Sequence, residues 1–146
     1  MKKILPILLF ITTMGYSHIL KPVKWTTATK KISETEYDLI FTADIEATYH
    51  LYSQKIPDNG PRPTAFIFEE SNFFELIGNV KEDNGHTVYD PTFKMKIKYF
   101  DTKATLKQRI KIKNESNSTV NCEIEFMTCN NSNCVLGYED VELTVN

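Results

Sequence analysis

The sequence of 146 residues lacks the features that mark several protein classes. Its 5 Gly and 6 Pro are too few for a collagen-like rod or a low-complexity disordered chain. Its 3 Cys are too few for a multi-disulfide framework, although they allow one pair and one further cysteine. A net charge of −2 offers no broad basic surface, so a nucleic-acid partner is not expected. What is left is a chain of ordinary composition with the length of one globular domain.

The N-terminal segment carries the pattern of an export signal. Two lysines precede the apolar run 4–11, and Gly15-Tyr16-Ser17 places small residues where a signal peptidase reads the chain. This order predicts a signal peptide over 1–17 and a single domain over 18–146. An uncleaved anchor or a first core strand is the alternative for the same run. Because no later segment is long and apolar enough to cross a membrane, we expect an exported mature chain, periplasmic or otherwise, without a membrane span.

Short runs of alternating apolar and polar residues dominate the rest of the chain, and none has the sustained stripe of an amphipathic helix. In 37–45 every odd position is apolar, which is typical of a half-buried strand. Turn residues separate several runs, at 57–61, 83–85 and 114–118. Seven or eight such strands predict an all-β fold, an immunoglobulin-like antiparallel β-sandwich. The predicted strands are 37–45, 49–54, 64–70, 73–80, 95–100, 106–113, 120–128 and 141–145.

The three cysteines fall into two kinds. Cys122 alternates with polar residues along a predicted strand, which indicates a small buried side chain. Cys129 and Cys134 bracket a polar run of four residues, and a hairpin-like loop of that length brings its ends close enough for a disulfide. In an oxidising compartment these two are expected to pair. A metal site built from the three cysteines and a histidine is disfavoured because the paired spacing of zinc ligands is missing, and no cofactor is expected.

Two interpretations of the Cys129–Cys134 pair remain open at this point. In the first, the bond only holds a loop together, and so small a ring contributes on the order of 2 kcal/mol in the chain-entropy model. In the second, a partner's thiolate attacks the exposed bridge and gives a mixed disulfide and then a dithiol. The C-x4-C spacing is not a specific motif, and taken alone it favours the structural interpretation.

Several segments together resemble the N-terminal periplasmic domain of the thiol:disulfide interchange protein DsbD family. Each segment is weak by itself, but their order and spacing extend through most of the chain from about Pro22 onward. The segments are His50-Leu51-Tyr52-Ser53-Gln54, Gly60-Pro61-Arg62-Pro63-Thr64-Ala65-Phe66, Tyr89-Asp90-Pro91-Thr92-Phe93, Lys98-Tyr99-Phe100 and Phe126-Met127-Thr128-Cys129-Asn130-Asn131-Ser132-Asn133-Cys134.

The resemblance implies an immunoglobulin-like sandwich with a redox-active cysteine pair. Cys129 and Cys134 would be that pair, and Cys134 would form the mixed disulfide with partners. In this family the domain takes electrons from a thioredoxin-like domain, supplied through a membrane domain, and passes them to periplasmic acceptors. Thioredoxin-fold proteins are therefore the implied partners.

The resemblance also implies which side chains surround the pair. The segment from Tyr89 through Asp90 to Phe93 would be a cap loop, with the Phe93 ring shielding the bridge until a partner docks. His50 and Tyr52 fall where the family places aromatic side chains beside the site. Each has an ordinary alternative, since Asp90 also starts a common turn and the rings could fill a sheet face.

Two functions follow from these observations. The first is a thiol:disulfide oxidoreductase relay, in which Cys129 and Cys134 exchange electrons with exported partners. The second is a non-catalytic exported β-sandwich that binds a partner and uses the same bridge as a structural disulfide. The sequence departs from the best-known members of the family around the cysteine pair. They have one more residue between the cysteines, and they have a proline pair where Val135-Leu136-Gly137 follows the second cysteine here. A hydrolase is disfavoured because there is no G-x-S-x-G elbow and no zinc signature.

Overall fold

A computed structural model describes residues 20–114 and 119–145, and all regular secondary structure in these ranges is strand. Within them no helix is present that could cross a membrane. The predicted signal peptide and most of the predicted turn at 114–118 lie outside the described residues. The strands are β1 (Val23–Lys31), β2 (Glu36–Ile45), β3 (His50–Tyr52), β4 (Ala65–Phe68), β5 (Phe74–Glu82), β6 (His86–Asp90), β7 (Met95–Phe100), β8 (Lys103–Ile112), β9 (Thr119–Cys129) and β10 (Cys134–Thr144).

The strands form two antiparallel sheets that pack face to face. One sheet has four strands in the order β1-β2-β8-β5. The other has the order β10-β9-β3-β7-β6, with the short β4 paired to β9. The predicted all-β antiparallel sandwich is therefore confirmed.

The main core lies between the two sheets and follows from the alternation of the sequence. Along β2 and β9 nearly every second residue is buried, as the period of two requires. Leu39, Phe41 and Ile124 are fully buried in this core. Trp25 packs edge-on against Phe126, with ring centroids 5.7 Å apart.

The sequence patterns did not predict two of the strands, and they placed the start of a third strand too late in the chain. Strand β1 was not predicted, because only the first half of Val23–Lys31 alternates between buried and exposed side chains. Strand β6 was not predicted either, because none of its residues is buried. Strand β10 begins at Cys134 instead of Val141, so it pairs with β9 from the bridge onward.

A second, smaller cluster lies on the outer face of the six-stranded sheet and positions the site. Leu51 and Phe100 are paired across β3 and β7 and point into the main core, so their neighbours Tyr52 and Tyr99 point to the opposite face. We call this group the outer cluster. It consists of buried Tyr52, Ile97 and Cys129 with partly buried Ile56, Phe93, Met95, Tyr99 and Met127.

Candidate redox site at the hairpin between β9 and β10

The structure contains the disulfide expected between Cys129 and Cys134. Cys129 is the last residue of β9 and Cys134 is the first residue of β10, and the two are directly opposite each other in the register. Their Cα atoms are 4.1 Å apart. This separation matches the close approach of about 4.5 Å that a non-hydrogen-bonded pair has in an antiparallel ladder. The bridge therefore joins neighbouring strands at the point where the hairpin turns.

The polar run between the cysteines folds into a compact turn. The side-chain Oδ1 of Asn130 accepts the backbone N–H groups of Ser132 and Asn133, each at 2.8 Å. The backbone N–H of Asn130 donates to the carbonyl of Asn133 at 2.9 Å. An asparagine that bonds to the backbone two residues on is an ordinary way to start a turn. These bonds close the hairpin and set the two cysteines face to face.

The two cysteines of the bridge differ in accessibility. Cys134 is exposed, whereas Cys129 is only 5% exposed and belongs to the outer cluster. Thiol–disulfide exchange depends on which sulfur an incoming thiolate can reach. The geometry therefore favours attack at Cys134, with Cys129 as the sulfur that leaves.

A short turn after β6 brings an aromatic ring to the outer cluster. The Oδ1 atom of Asp90 accepts the backbone N–H of Thr92 at 2.8 Å and that of Phe93 at 3.2 Å. Lys94, which follows, has the left-handed φ of 54°. The ring of Phe93 meets the ring of Tyr52 edge-on, with centroids 6.3 Å apart. Asp90 thus starts a turn, which is the alternative role that the sequence offered for it. The same turn also holds Phe93 in the cluster that contains the buried cysteine.

Tyr52 is the best buried of the aromatic residues expected around the site. It is 4% exposed, and its backbone carbonyl accepts the Thr64 hydroxyl at 2.6 Å. Burial raises the pKa of Tyr52, and the negative charge of Asp90 raises it further. The Asp90 carboxylate is therefore close enough to act on the cluster electrostatically. Tyr89 is different, because it lies within β6 and is 62% exposed.

His50 lies directly beside the bridge and has partners that the sequence did not reveal. It pairs with Cys129 in the register of β3 and β9. Its Nδ1 atom is 2.5 Å from Oδ1 of Asp101, and its ring centroid is 4.4 Å from that of Tyr99. The Nε2 atom of His86 is 3.5 Å from the other carboxylate oxygen of Asp101. These contacts depend on the registers of β3 with β7 and of β7 with β6, and no local motif signals them.

Cys122 takes no part in this site. It is 3% exposed in the main core, which confirms the prediction of a small buried side chain. Burial raises the pKa of the Cys122 thiol to about 12. No group of three or more histidine, cysteine or acidic residues that could hold a metal ion occurs in residues 20–114 and 119–145.

The sandwich and its bridge define a class of protein: an immunoglobulin-like domain whose disulfide lies at a surface hairpin, outside the main core. A family model described as the N-terminal part of the thiol:disulfide interchange protein DsbD matches residues 19–146. The chain therefore belongs to this family. A comparison with curated proteins found no match.

Solved structures show the same fold at low sequence identity. The N-terminal periplasmic domain of ScsB from Proteus mirabilis is 12% identical, with a TM-score of 0.64 over 87% of this chain. That match covers 48% of the ScsB chain, so this chain spans about half of its length. The N-terminal domain of DsbD from Neisseria meningitidis, in the reduced form, is 14% identical, with a TM-score of 0.53. The match covers 88% of this chain and 90% of the DsbD domain from Neisseria meningitidis.

Proposed function

We propose that this domain carries out thiol:disulfide interchange through Cys129 and Cys134, exchanging electrons with thioredoxin-fold proteins. The observation that carries the proposal is the asymmetry of the bridge, with an exposed Cys134 and a Cys129 buried in the outer cluster. Membership of the DsbD N-terminal family supports the same chemistry. A bridge that served only to hold a loop would have no need of one accessible and one protected sulfur.

The exchange follows from the accessibility of the two sulfurs. A partner's thiolate attacks Sγ of Cys134, the Cys129–Cys134 bond breaks, and its electron pair leaves on Sγ of Cys129. The partner's second thiol then attacks the partner's own sulfur in the mixed disulfide and releases Cys134. Two electrons and two protons have reached this domain, and the partner leaves with a disulfide. The reverse sequence passes the same electrons to an oxidised acceptor.

The turn that follows β6 is proposed to protect the bridge between partner encounters. Phe93 packs in the same cluster as Cys129, and Asp90 holds the turn that places it there. The ring therefore closes the route of a small thiol to the Cys129 sulfur, the second point at which the bridge could be attacked, whereas a protein partner can displace the whole turn. His50 and Tyr52 complete the surround of the site.

Export to the periplasm belongs to the same proposal. The predicted signal peptide over 1–17 supports it. The ScsB domain with the same fold is described as periplasmic. An oxidising compartment would keep the bridge formed between exchange events.

The decisive experiment is the reduction potential of the Cys129–Cys134 bridge, measured by equilibration with thiol buffers followed by alkylation. We expect a value within the range of known exchange proteins, roughly −120 to −270 mV. A value below about −300 mV would contradict the proposal, because structural disulfides in secreted proteins have such potentials. The domain would then be a binding module with a structural bridge.

A further inference from the structure

We propose that His50, oriented by Asp101, exchanges a proton with the sulfur of Cys129 each time the bridge opens or closes. This inference rests on the proposed interchange function. It assigns His50 as a catalytic residue that serves the buried sulfur and Asp101 as the positioning residue that holds His50. The geometry that points to it is a row of side chains on one face of the sheet, in the order Cys134, Cys129, His50, Asp101. The first three belong to the adjacent strands β10, β9 and β3, and Asp101 directly follows β7.

The register of the sheet establishes this row. Cys129 is opposite Cys134 on one side and opposite His50 on the other. One residue beyond the pair of Leu51 and Phe100, His50 meets Asp101 at 2.5 Å. Residues opposite each other in antiparallel strands project from the same face, with Cβ atoms about 4.5–5.5 Å apart. The His50 side chain therefore lies next to that of Cys129.

The contacts of His50 fix the role of each ring nitrogen. Nδ1 faces the Asp101 carboxylate, which requires a proton on Nδ1. Nε2 has no hydrogen-bond partner among the described residues. Tyr99 lies against the ring at 4.4 Å and limits its rotation. Cysteine and serine catalysis use the same arrangement, in which an acidic group orients a base and the base serves a nucleophile.

The charges around the cluster explain why the sulfur needs a proton donor. Two carboxylates, Asp101 and Asp90, lie near the outer cluster, and the negative charge of each is felt by a neighbouring tyrosine. Negative charges disfavour a thiolate nearby. His50 and His86 can carry the opposite charge, and both contact the Asp101 carboxylate. Because His50 pairs with Cys129 in the register of β3 and β9, it is the proton donor next to the Cys129 sulfur.

The proton step balances in both directions. When a thiolate attacks Cys134, the leaving Cys129 sulfur takes the electron pair of the broken bond, and the proton on Nε2 of His50 moves to it. A neutral thiol and a neutral imidazole result, with Nδ1–H still held by Asp101. When the bridge re-forms, His50 takes the proton back, and the Cys129 thiolate attacks Sγ of Cys134 in the mixed disulfide and expels the partner's thiolate. The ring is partly exposed, so it recovers or loses its proton to water between events.

The first test isolates Cys129 as a free thiol in the Cys134→Ser variant. Its thiolate is followed by ultraviolet absorbance against pH, alone and combined with His50→Gln, Asp101→Asn or His86→Gln. We expect His50→Gln to raise the titration midpoint by about one pH unit, because the imidazole takes up the thiol proton and the imidazolium so formed stabilises the thiolate beside it. Asp101→Asn changes the midpoint by less, because losing the support of the imidazolium and losing the negative charge near the sulfur act in opposite directions. His86→Gln, three strands from Cys129, leaves it unchanged. An unaltered midpoint in His50→Gln would overturn the inference.

The second test uses the intact bridge and dithiothreitol as the reductant. We expect His50→Gln to slow reduction about tenfold relative to the parent at pH 6 and to have little effect at pH 9, because histidine side chains in general change charge between about pH 5 and 8 and only the charged form donates a proton. Equal ratios at both pH values would indicate a merely structural role and overturn the proton step. If the parent bridge itself resists reduction, the interchange function fails, and the thiol titration still decides the role of His50. Should His50→Gln fail to fold, His50→Asn, which also removes the ionisable ring, gives the same pair of readouts.

Discussion

At the scale of single residues, the environment of each cysteine determines its chemistry. Cys122 and Cys129 are almost equally buried, but Cys122 lies among core side chains, whereas Cys129 is bonded to the exposed Cys134. The thiolate is the reactive form of cysteine, so a thiol whose pKa rises stays inert. Burial raises the pKa of Cys122 to about 12, and its thiol is therefore protonated throughout the physiological range.

Cys122 is expected to resist alkylation in the native protein. Incubation of the oxidised domain with iodoacetamide at pH 8 should leave it unmodified, because only a minute fraction is thiolate and the sulfur is buried. The same incubation in guanidinium should label it fully. Mass spectrometry of tryptic peptides gives the answer. Rapid native labelling at Cys122 would contradict this prediction.

Phe93 is expected to slow the attack of small thiols on the bridge. Phe93→Ala removes the ring that packs beside Tyr52 in the outer cluster, so dithiothreitol should reduce the bridge severalfold faster. The rate is followed by quenching samples with acid and alkylating the new thiols. Leu76→Ala, at a 45% exposed site on the four-stranded sheet, is the control. Equal rates in the two variants would show that the ring shields nothing.

At the scale of strands, the sequence predicts an element when one of its faces is buried. The alternation in β2 and β9 exists because every second side chain meets the core, and both strands were recognised from it. In β6 no side chain is buried, so its strand conformation depends on the backbone hydrogen bonds with β7. Such pairing produces no alternating pattern in the sequence of β6 itself. The same limit applies to the site. The spacing of the cysteines predicted their pairing, but Asp101 reaches His50 only through the pairing of β3 with β7.

The Glu82 carboxylate joins the two sheets and should make stability depend on pH. Its side chain, on β5, is 4% exposed and accepts the Ser53 hydroxyl at 2.6 Å, the Gln54 backbone N–H at 3.0 Å and Lys98 Nζ at 3.0 Å. Burial would raise the pKa of Glu82, but these hydrogen bonds outweigh it, and the net pKa is lowered from 4.5. The stabilisation is therefore present above pH 4.5 and is lost as the pH falls through the lower pKa of the folded state.

Glu82→Gln should remove this contribution. Urea unfolding at pH 7 is expected to show a loss of about 2 kcal/mol, the range for a hydrogen-bonded charged group. The difference between parent and variant should shrink as the pH falls from 4.5 through the lower pKa of the folded state, below which the parent carboxylate is protonated too. Glu75→Gln serves as the control on the same strand, because Glu75 is half exposed and its ion pair with Lys113 lies at the surface. A difference that is constant with pH would refute the assignment.

At the scale of the whole molecule, the bridge and the main core are separate. The cysteines are five positions apart, and Cys129 packs in the outer cluster rather than between the sheets. Closing so short a loop contributes only about 2 kcal/mol in the chain-entropy model. A domain that must cycle between disulfide and dithiol benefits from this separation, because either state leaves the sandwich intact.

Reduction of the bridge is therefore expected to leave the domain folded. Backbone circular dichroism should be the same before and after dithiothreitol, and the free energy of unfolding in urea should fall by about 2 kcal/mol. The Cys134→Ser variant should show a similar loss. Collapse of the β-sheet signal on reduction would assign the bridge a structural role instead.

The separation of the two clusters also gives the molecule two independent optical reporters. The single tryptophan, Trp25, packs against Phe66 and Phe126 deep between the sheets. Tyr52 and Tyr99 lie instead in the cluster that holds Cys129. Tryptophan emission therefore registers the integrity of the sandwich. The change in the near-ultraviolet tyrosine bands on reduction registers the site, because Tyr37 and Tyr49 belong to the main core and not to the cluster that holds Cys129. One sample can show the two events as separate signals, without any attached dye.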